Sequence, residues 1–294
     1  MSPEPSPITL QNTAQWELTA PDNYTYLIQA SWPLQWTTRS GHENVPVIYT
    51  LDGNSVFLTA TEAAWRRASA PQFTGGGLIV SIGHNMTDGF LFHRRRNLDL
   101  TPPSPTSSAP AHGGADNFIK FIEEQVKPFV RSTILAGSTV GREALFGHSY
   151  GGLCTLYTLF THRDMFDCFF AGSPSIWYGD SVLLDYEKRF VEKAGDAQQQ
   201  PTLLMFYGGL EQHPVQHRGE ADDAFERRKK MAESWAMEES ANSMAQRLRN
   251  AGVMKYVVCK EYPGEDHGTV IGCGLGRAVV VFFEDWPIVG DLPF

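Results

Sequence analysis

Glu143-Ala144-Leu145-Phe146-Gly147-His148-Ser149-Tyr150-Gly151-Gly152 is the stretch on which the reading of this chain turns. Its apolar start reads as a buried strand, and Leu153, Leu156, Tyr157 and Phe160 take up helical spacing directly after it. Strand, sharp turn and helix therefore meet at a serine. A residue at that apex takes a strained backbone conformation, and Gly147 and Gly151 are expected to leave the room it needs. The turn lifts the Ser149 hydroxyl above the sheet edge and aims the N-terminus of the next helix at it. Helix N–H groups would then lie where a negative oxygen forms during acyl transfer. A G-x-S-x-G pentapeptide also arises by chance as a plain turn; the strand before it and the helix after it favour the chemical reading.

Outward from that turn, apolar runs suited to strands buried on both faces recur at residues 45–51, 77–82, 167–171, 202–207 and 255–262. Helical patterns separate them: one ending near residue 68, one over 116–130, a long charge-rich helix over most of 221–250 stopped by Gly252, and a last one over 275–283. Residues 15–20 and 24–32 come first, as strands joined by the turn Pro21-Asp22-Asn23. Strands alternating with helices predict an α/β fold, a mostly parallel twisted sheet of about eight strands with helices on both faces. With no internal repeat and no second hydrophobic unit, residues 1–294 are expected to form a single domain. The Pro/Ser-rich stretch TPPSPTSSAPAHGG at 101–114 is expected to be a flexible surface loop within it.

Composition narrows the function classes. With 294 residues, 42% of them hydrophobic, the chain can bury one large core. A formal charge of −9 would repel nucleic acid and anionic lipid, so neither is an expected partner. No apolar run reaches the length of a membrane span, and Met1-Ser2-Pro3-Glu4-Pro5 lacks the basic flank and apolar core of a secretory signal. The expectation is a soluble, cytoplasmic protein in which the sequon Asn23-Tyr24-Thr25 is idle. Cys154, Cys168, Cys259 and Cys273 show no C-x-x-C spacing and read as small buried hydrophobes, so no metal site is expected.

Ligands of such a sheet bind at the carboxyl ends of the strands. Three reactive side chains fall there, in the order Ser149, Glu211, His267. Serine is a poor nucleophile until a base removes its proton, and imidazole does so near neutral pH. A carboxylate fixes the tautomer of that imidazole and stabilises its charged form. Asp222, Asp223 and Asp266 compete with Glu211 for the acid's place, though Asp266 adjoins His267 and is poorly placed to reach its far nitrogen. The oxyanion hole is expected from the N–H of Tyr150 and that of Gly53 or Asn54. Arg94, Arg95 and Arg96 follow the strand at 77–82 and so overhang the same edge, although a run of arginines is often only a solvated patch.

The stretches PVIYTLDGN (46–54), LIVSIGH (78–84), RNLDLTP (96–102), GGADNFIKFIEEQVKPFV (113–130), GHSYGGLCTLYTLF (147–160), FAGSPSIWY (170–178), GGLEQHP (208–214) and PGEDHG (263–268) form an ordered set. By them the chain resembles the esterase D-type α/β-hydrolases, and within these the enterochelin esterase-like hydrolases of trilactone siderophores. The resemblance implies the α/β-hydrolase fold, Ser149 as nucleophile, His267 as base and Glu211 as acid, where some relatives are described as using a Ser–His dyad. It also implies that Arg96, with Arg95 beside it, and Trp177 hold substrate. Leu100, where a tyrosine is frequent, and the proline-rich insertion depart from the family pattern. The implied activity is hydrolysis of the ester bonds of an iron-loaded siderophore of fusarinine or enterobactin type. Iron would come as part of the substrate and not as a cofactor. A general carboxylesterase or thioesterase, such as an S-formylglutathione hydrolase, is the alternative enzyme. An inactive hydrolase fold used for binding is the alternative of another class. The sequence carries no sign of the oligomeric state.

Overall fold

The computed structural model describes residues 4–69, 75–86, 89–106, 111–193 and 200–284. Its centre is an eight-stranded sheet in the order β1-β2-β4-β3-β5-β6-β7-β8. The strands are β1 (Thr13–Thr19), β2 (Thr25–Ser31), β3 (Val45–Thr50), β4 (Leu78–His84), β5 (Val140–His148), β6 (Cys168–Gly172), β7 (Thr202–Gly208) and β8 (Tyr256–Tyr262). β1 and β2 form an antiparallel hairpin, β2 pairs antiparallel with β4, and all later pairings are parallel.

Alternation along each central strand feeds two cores. Val47, Tyr49, Leu145, Phe169, Leu203 and Met205 point to one face, and Ile48, Phe146, Phe170, Leu204 and Phe206 to the other. Helix α1 (Gly53–Ala68) lies on the second face, and α2 (Ala115–Phe121), continued by π-helical turns to Ile134, on the first. α3 (Tyr150–Thr161), α4 (Leu183–Glu192), α5 (Asp222–Trp235), α6 (Met237–Ala251) and α7 (Val270–Phe283) follow. Of these, α3, α4 and α6 add buried residues to the first core, while α7 joins α1 in the second. Both faces are covered, which is why the central strands read as unbroken apolar runs.

The helix expected over 221–250 is two helices. Ala236 adopts a left-handed conformation (φ 44°, ψ 47°) between α5 and α6. The break lets the Gln212 side chain accept hydrogen bonds from the N–H groups of Glu238 and Glu239 at the start of α6. The loop expected at 101–114 is tied at both ends. Thr101 donates its hydroxyl to the Asn97 carbonyl and accepts from the Gly113 N–H, and Gly114 N–H bonds to the Leu98 carbonyl. Residues 107–110 of that stretch lie outside the described residues. Cys154 and Cys168 are buried as expected, whereas Cys273 is exposed on α7. Among the described residues no helix is long and apolar enough to cross a membrane.

A left-handed residue with a side chain costs about 1–2 kcal/mol, a cost that glycine does not carry. Ala236→Gly should therefore raise stability by about 1 kcal/mol, and the thermal midpoint by roughly 2 °C. A lower midpoint in a melting experiment would show that Ala236 carries no such strain.

Candidate active site

Ser149 sits between β5 and α3 at φ 59°, ψ −117°. Its N–H bonds to the Gly172 carbonyl (2.9 Å), and its own carbonyl accepts from Leu153 (2.9 Å) and Ser175 (3.2 Å). These bonds fix the backbone on both sides, so the strained turn is over-determined by its neighbours. The room comes from Gly147, as expected, and from Gly152 in place of Gly151. A Cβ on Gly147 would stand 2.1 Å from the Gly151 carbonyl oxygen, and one on Gly152 2.6 Å from that of Gly172. At Gly151 a Cβ would reach no nearer than 3.4 Å, to Asp52 Oδ2, an ordinary contact.

Glu211 follows β7 and His267 follows β8. The structure brings them together: His267 Nδ1 lies 2.6 Å from Glu211 Oε2. A carboxylate only accepts, so Nδ1 carries the hydrogen and Nε2 keeps a free lone pair. Glu211 Oε1 in turn accepts from the Ser173 hydroxyl (2.5 Å) and the Gly208 N–H (2.7 Å), which lock the carboxylate in place. The rivals are engaged elsewhere. Asp266 accepts from the N–H groups of Gly268 and Thr269, while Asp222 meets Gln216 and Asp223 meets Arg227.

The His267 ring packs against that of His148, 4.5 Å between centroids, which sets this imidazole beside the elbow. Burial holds the His148 imidazole neutral, pushing it well below its ordinary range, and the nearby His267 and Arg96 add to the effect. Among the described residues no hydrogen bond joins Ser149 Oγ to His267; the Ser149 hydroxyl instead lies 3.5 Å from Ser175 Oγ. Such contacts often tighten only when substrate arrives. Ser173 and Ser175 were not singled out by sequence. Their only signal was Gly-Ser-Pro-Ser directly after a buried strand.

The N-terminal turns of α1 and α3 follow the adjacent parallel strands β3 and β5, so both helices start at the same carboxyl edge of the sheet. The Asn54 side chain is used up: Nδ2 donates to the His84 carbonyl and Oδ1 accepts from the His84 N–H, both at 2.8 Å. The backbone N–H groups of Gly53, Asn54 and Tyr150 stand in the first turns of the two helices, where N–H groups have no partner within the helix.

The two arginines expected to hold substrate have partners inside the protein. Arg95 Nε donates to Asp99 (2.8 Å) and its Nη2 to Asp22 (2.5 Å), with the guanidinium over the Tyr24 ring. Arg96 donates from Nε and Nη2 to both oxygens of Asp52, at 2.7 and 2.9 Å. A guanidinium taken from water needs such a counter-charge. Arg94 is the exposed member of the run. Trp177 packs on Tyr150 and stacks flat on Trp235, 5.2 Å away at 7°, and its buried Nε1 has no hydrogen-bond partner among the described residues. Trp235, at the end of α5, carried no signal in the sequence. Among the described residues no group of three His, Cys, Asp or Glu side chains is placed to hold a metal.

The profile of the family described as "Putative esterase" matches residues 23–267. The siderophore triacetylfusarinine C esterase of Aspergillus fumigatus is 44% identical over 290 residues, 98% of each chain. The siderophore enterobactin esterase of Emericella nidulans is 38% identical over 287 residues, 93% of this chain and 94% of that one. Among solved structures, siderophore hydrolase EstB from Aspergillus nidulans superposes with a TM-score of 0.91 at 43% identity, covering 97% of this chain and all of its own.

Gly147→Ala should prevent folding or leave a protein with a much lower melting point, whereas Gly151→Ala should fold with a midpoint near wild type; equal midpoints would refute the close approach. Glu211→Gln should keep the fold and slow ester hydrolysis by roughly 10²–10⁴-fold, read as kcat. A wild-type rate would mean that the histidine works without the carboxylate.

Proposed function

The chain belongs to the Esterase family, and from that premise we propose that it is a serine esterase cleaving the ester bonds of an iron-loaded, ester-linked siderophore. The observation that carries the reading is the line of contacts Ser173–Glu211–His267 ending beside a strained Ser149 at the carboxyl edge of the sheet. Nothing in a binding module requires that arrangement. In the reaction, Ser149 Oγ attacks the ester carbonyl carbon while His267 Nε2 takes its proton. The carbonyl oxygen becomes an anion facing the N–H groups of Tyr150 and of Gly53 or Asn54. Collapse expels the alcohol of the siderophore backbone, which takes the proton from His267, and leaves an acyl-enzyme. Water, activated by the same imidazole, then releases the hydroxy acid. Glu211 holds the ring in register throughout.

The substrate class follows from the relatives: one acts on triacetylfusarinine C and another on enterobactin, and both are similar to this chain over nearly its whole length. Cleaving the backbone of such a siderophore separates its iron ligands and weakens the grip on the metal. Iron enters within the substrate, and the protein works as a single domain without a cofactor of its own. Hydrolysis takes place after uptake, in the cytoplasm. Trp177, backed by Trp235, forms one wall of the pocket.

Incubating the protein with ferric triacetylfusarinine C, ferric enterobactin and a simple acyl ester, with products followed by mass, tests the proposal. Ring-opened siderophore should appear, and Ser149→Ala should lose at least about a thousandfold of that activity with the fold intact. Turnover of the simple ester alone would favour a general carboxylesterase. Failure of a fluorophosphonate to label Ser149 would leave only a binding role.

A further inference from the structure

Asp52 stands directly before α1, where an aspartate ordinarily turns its carboxylate onto the N–H groups of the helix's first turn. Here it does not. Its backbone is left-handed (φ 55°, ψ 45°) and its side chain makes no capping bond. The carboxylate is turned instead to Arg96, which binds both of its oxygens. It also rests against the first turn of α3, since a Cβ on Gly151 would lie 3.4 Å from Asp52 Oδ2. A negative charge thus sits between the starts of α1 and α3, the two helix ends whose N–H groups would meet the oxyanion.

We propose that Arg96 is a positioning residue for the oxyanion hole. It holds the Asp52 carboxylate in an ion pair and so keeps that charge off the N–H groups of Gly53 and Asn54. The inference rests on the esterase reading above, with Ser149 as nucleophile. Both helix ends attract an anion, so a carboxylate released beside them would move in and occupy the donors. Even without moving, an unpaired carboxylate there would oppose the charge that develops on the substrate oxygen. Arg96 is fixed for this task between the rings of Phe92 and Tyr150, at 5.1 and 5.4 Å from their centroids. The side chains of Arg96 and Asp52 are only 12% and 5% exposed, which leaves the guanidinium little surface for a bound siderophore.

The experiment measures kcat and KM for p-nitrophenyl acetate, an ester too small to reach a siderophore pocket. Arg96→Gln should lower kcat about a hundredfold, the scale of losing one oxyanion donor, with KM within about twofold of wild type. The double variant Asp52→Asn, Arg96→Gln should recover to within about tenfold of wild type, because a neutral amide at 52 no longer competes for the site. The proposal is overturned if Arg96→Gln keeps wild-type kcat on this ester and loses only KM for a ferri-siderophore, as a substrate ligand would. It is also overturned if the double variant folds but is as slow as the single one. Should Arg96→Gln fail to fold, the double variant decides alone: near-normal kcat supports the proposal and a hundredfold loss in a folded protein overturns it. Ser149→Ala separates the two levels. If it stays active, the esterase reading falls and takes this inference with it. If it is inert while Arg96→Gln is unimpaired, only the inference falls.

Discussion

The approach of the Gly147 backbone to the Gly151 carbonyl sets the geometry of the whole catalytic edge. A strand and the helix after it can touch this closely only without a side chain between them. With the ends so near, the residue joining them must take φ 59°, and its hydroxyl has nowhere to go but above the sheet. The loop after β6 then docks onto the turn through the Gly172 carbonyl and the Ser175 N–H. That same loop carries Ser173 to Glu211. One close contact therefore places Ser149, and the loop that reads its position also places Glu211.

The edge is acidic and basic at once, yet few of its charges are loose. Arg95 and Arg96 are each matched by carboxylates, and burial keeps His148 and His84 uncharged, His84 down to about 3. The His84 backbone clasps the Asn54 side chain and so steadies the start of α1. The ring of His148 packs against that of His267 at a tilt of 49°.

The fold was legible because its strands are buried on both faces and so print continuous apolar runs such as residues 45–51 and 202–207. Ser149, Glu211 and His267 stood out because each lies in the loop directly after such a run. What stayed hidden has physical causes. The partner of Arg96 lies 44 residues earlier in the chain, on a different strand end, and no spacing rule links them. Alanine has no turn signature, so the break at Ala236 looks in sequence like the middle of a helix. Ser173 and Ser175 are small polar residues of a kind found in any loop. The second elbow glycine is Gly152 and not Gly151 because the need depends on which carbonyl each Cα faces. Periodicity does not encode that.

The last helix closes the second core, and this bears on how the molecule is made. Ile48, Phe146 and Phe170 belong to early or central strands, but α7, which covers their face with Leu275, Val279 and Phe282, is the last helix described. During synthesis the central strands leave the ribosome long before their cover. A greasy sheet face is open to water and to other chains for that interval. His267 precedes the same helix, so its imidazole reaches its place only as the sheet is sealed. The nascent chain is thus vulnerable until α7 itself has been translated, and its yield in a cell depends on how well that face is shielded while it waits.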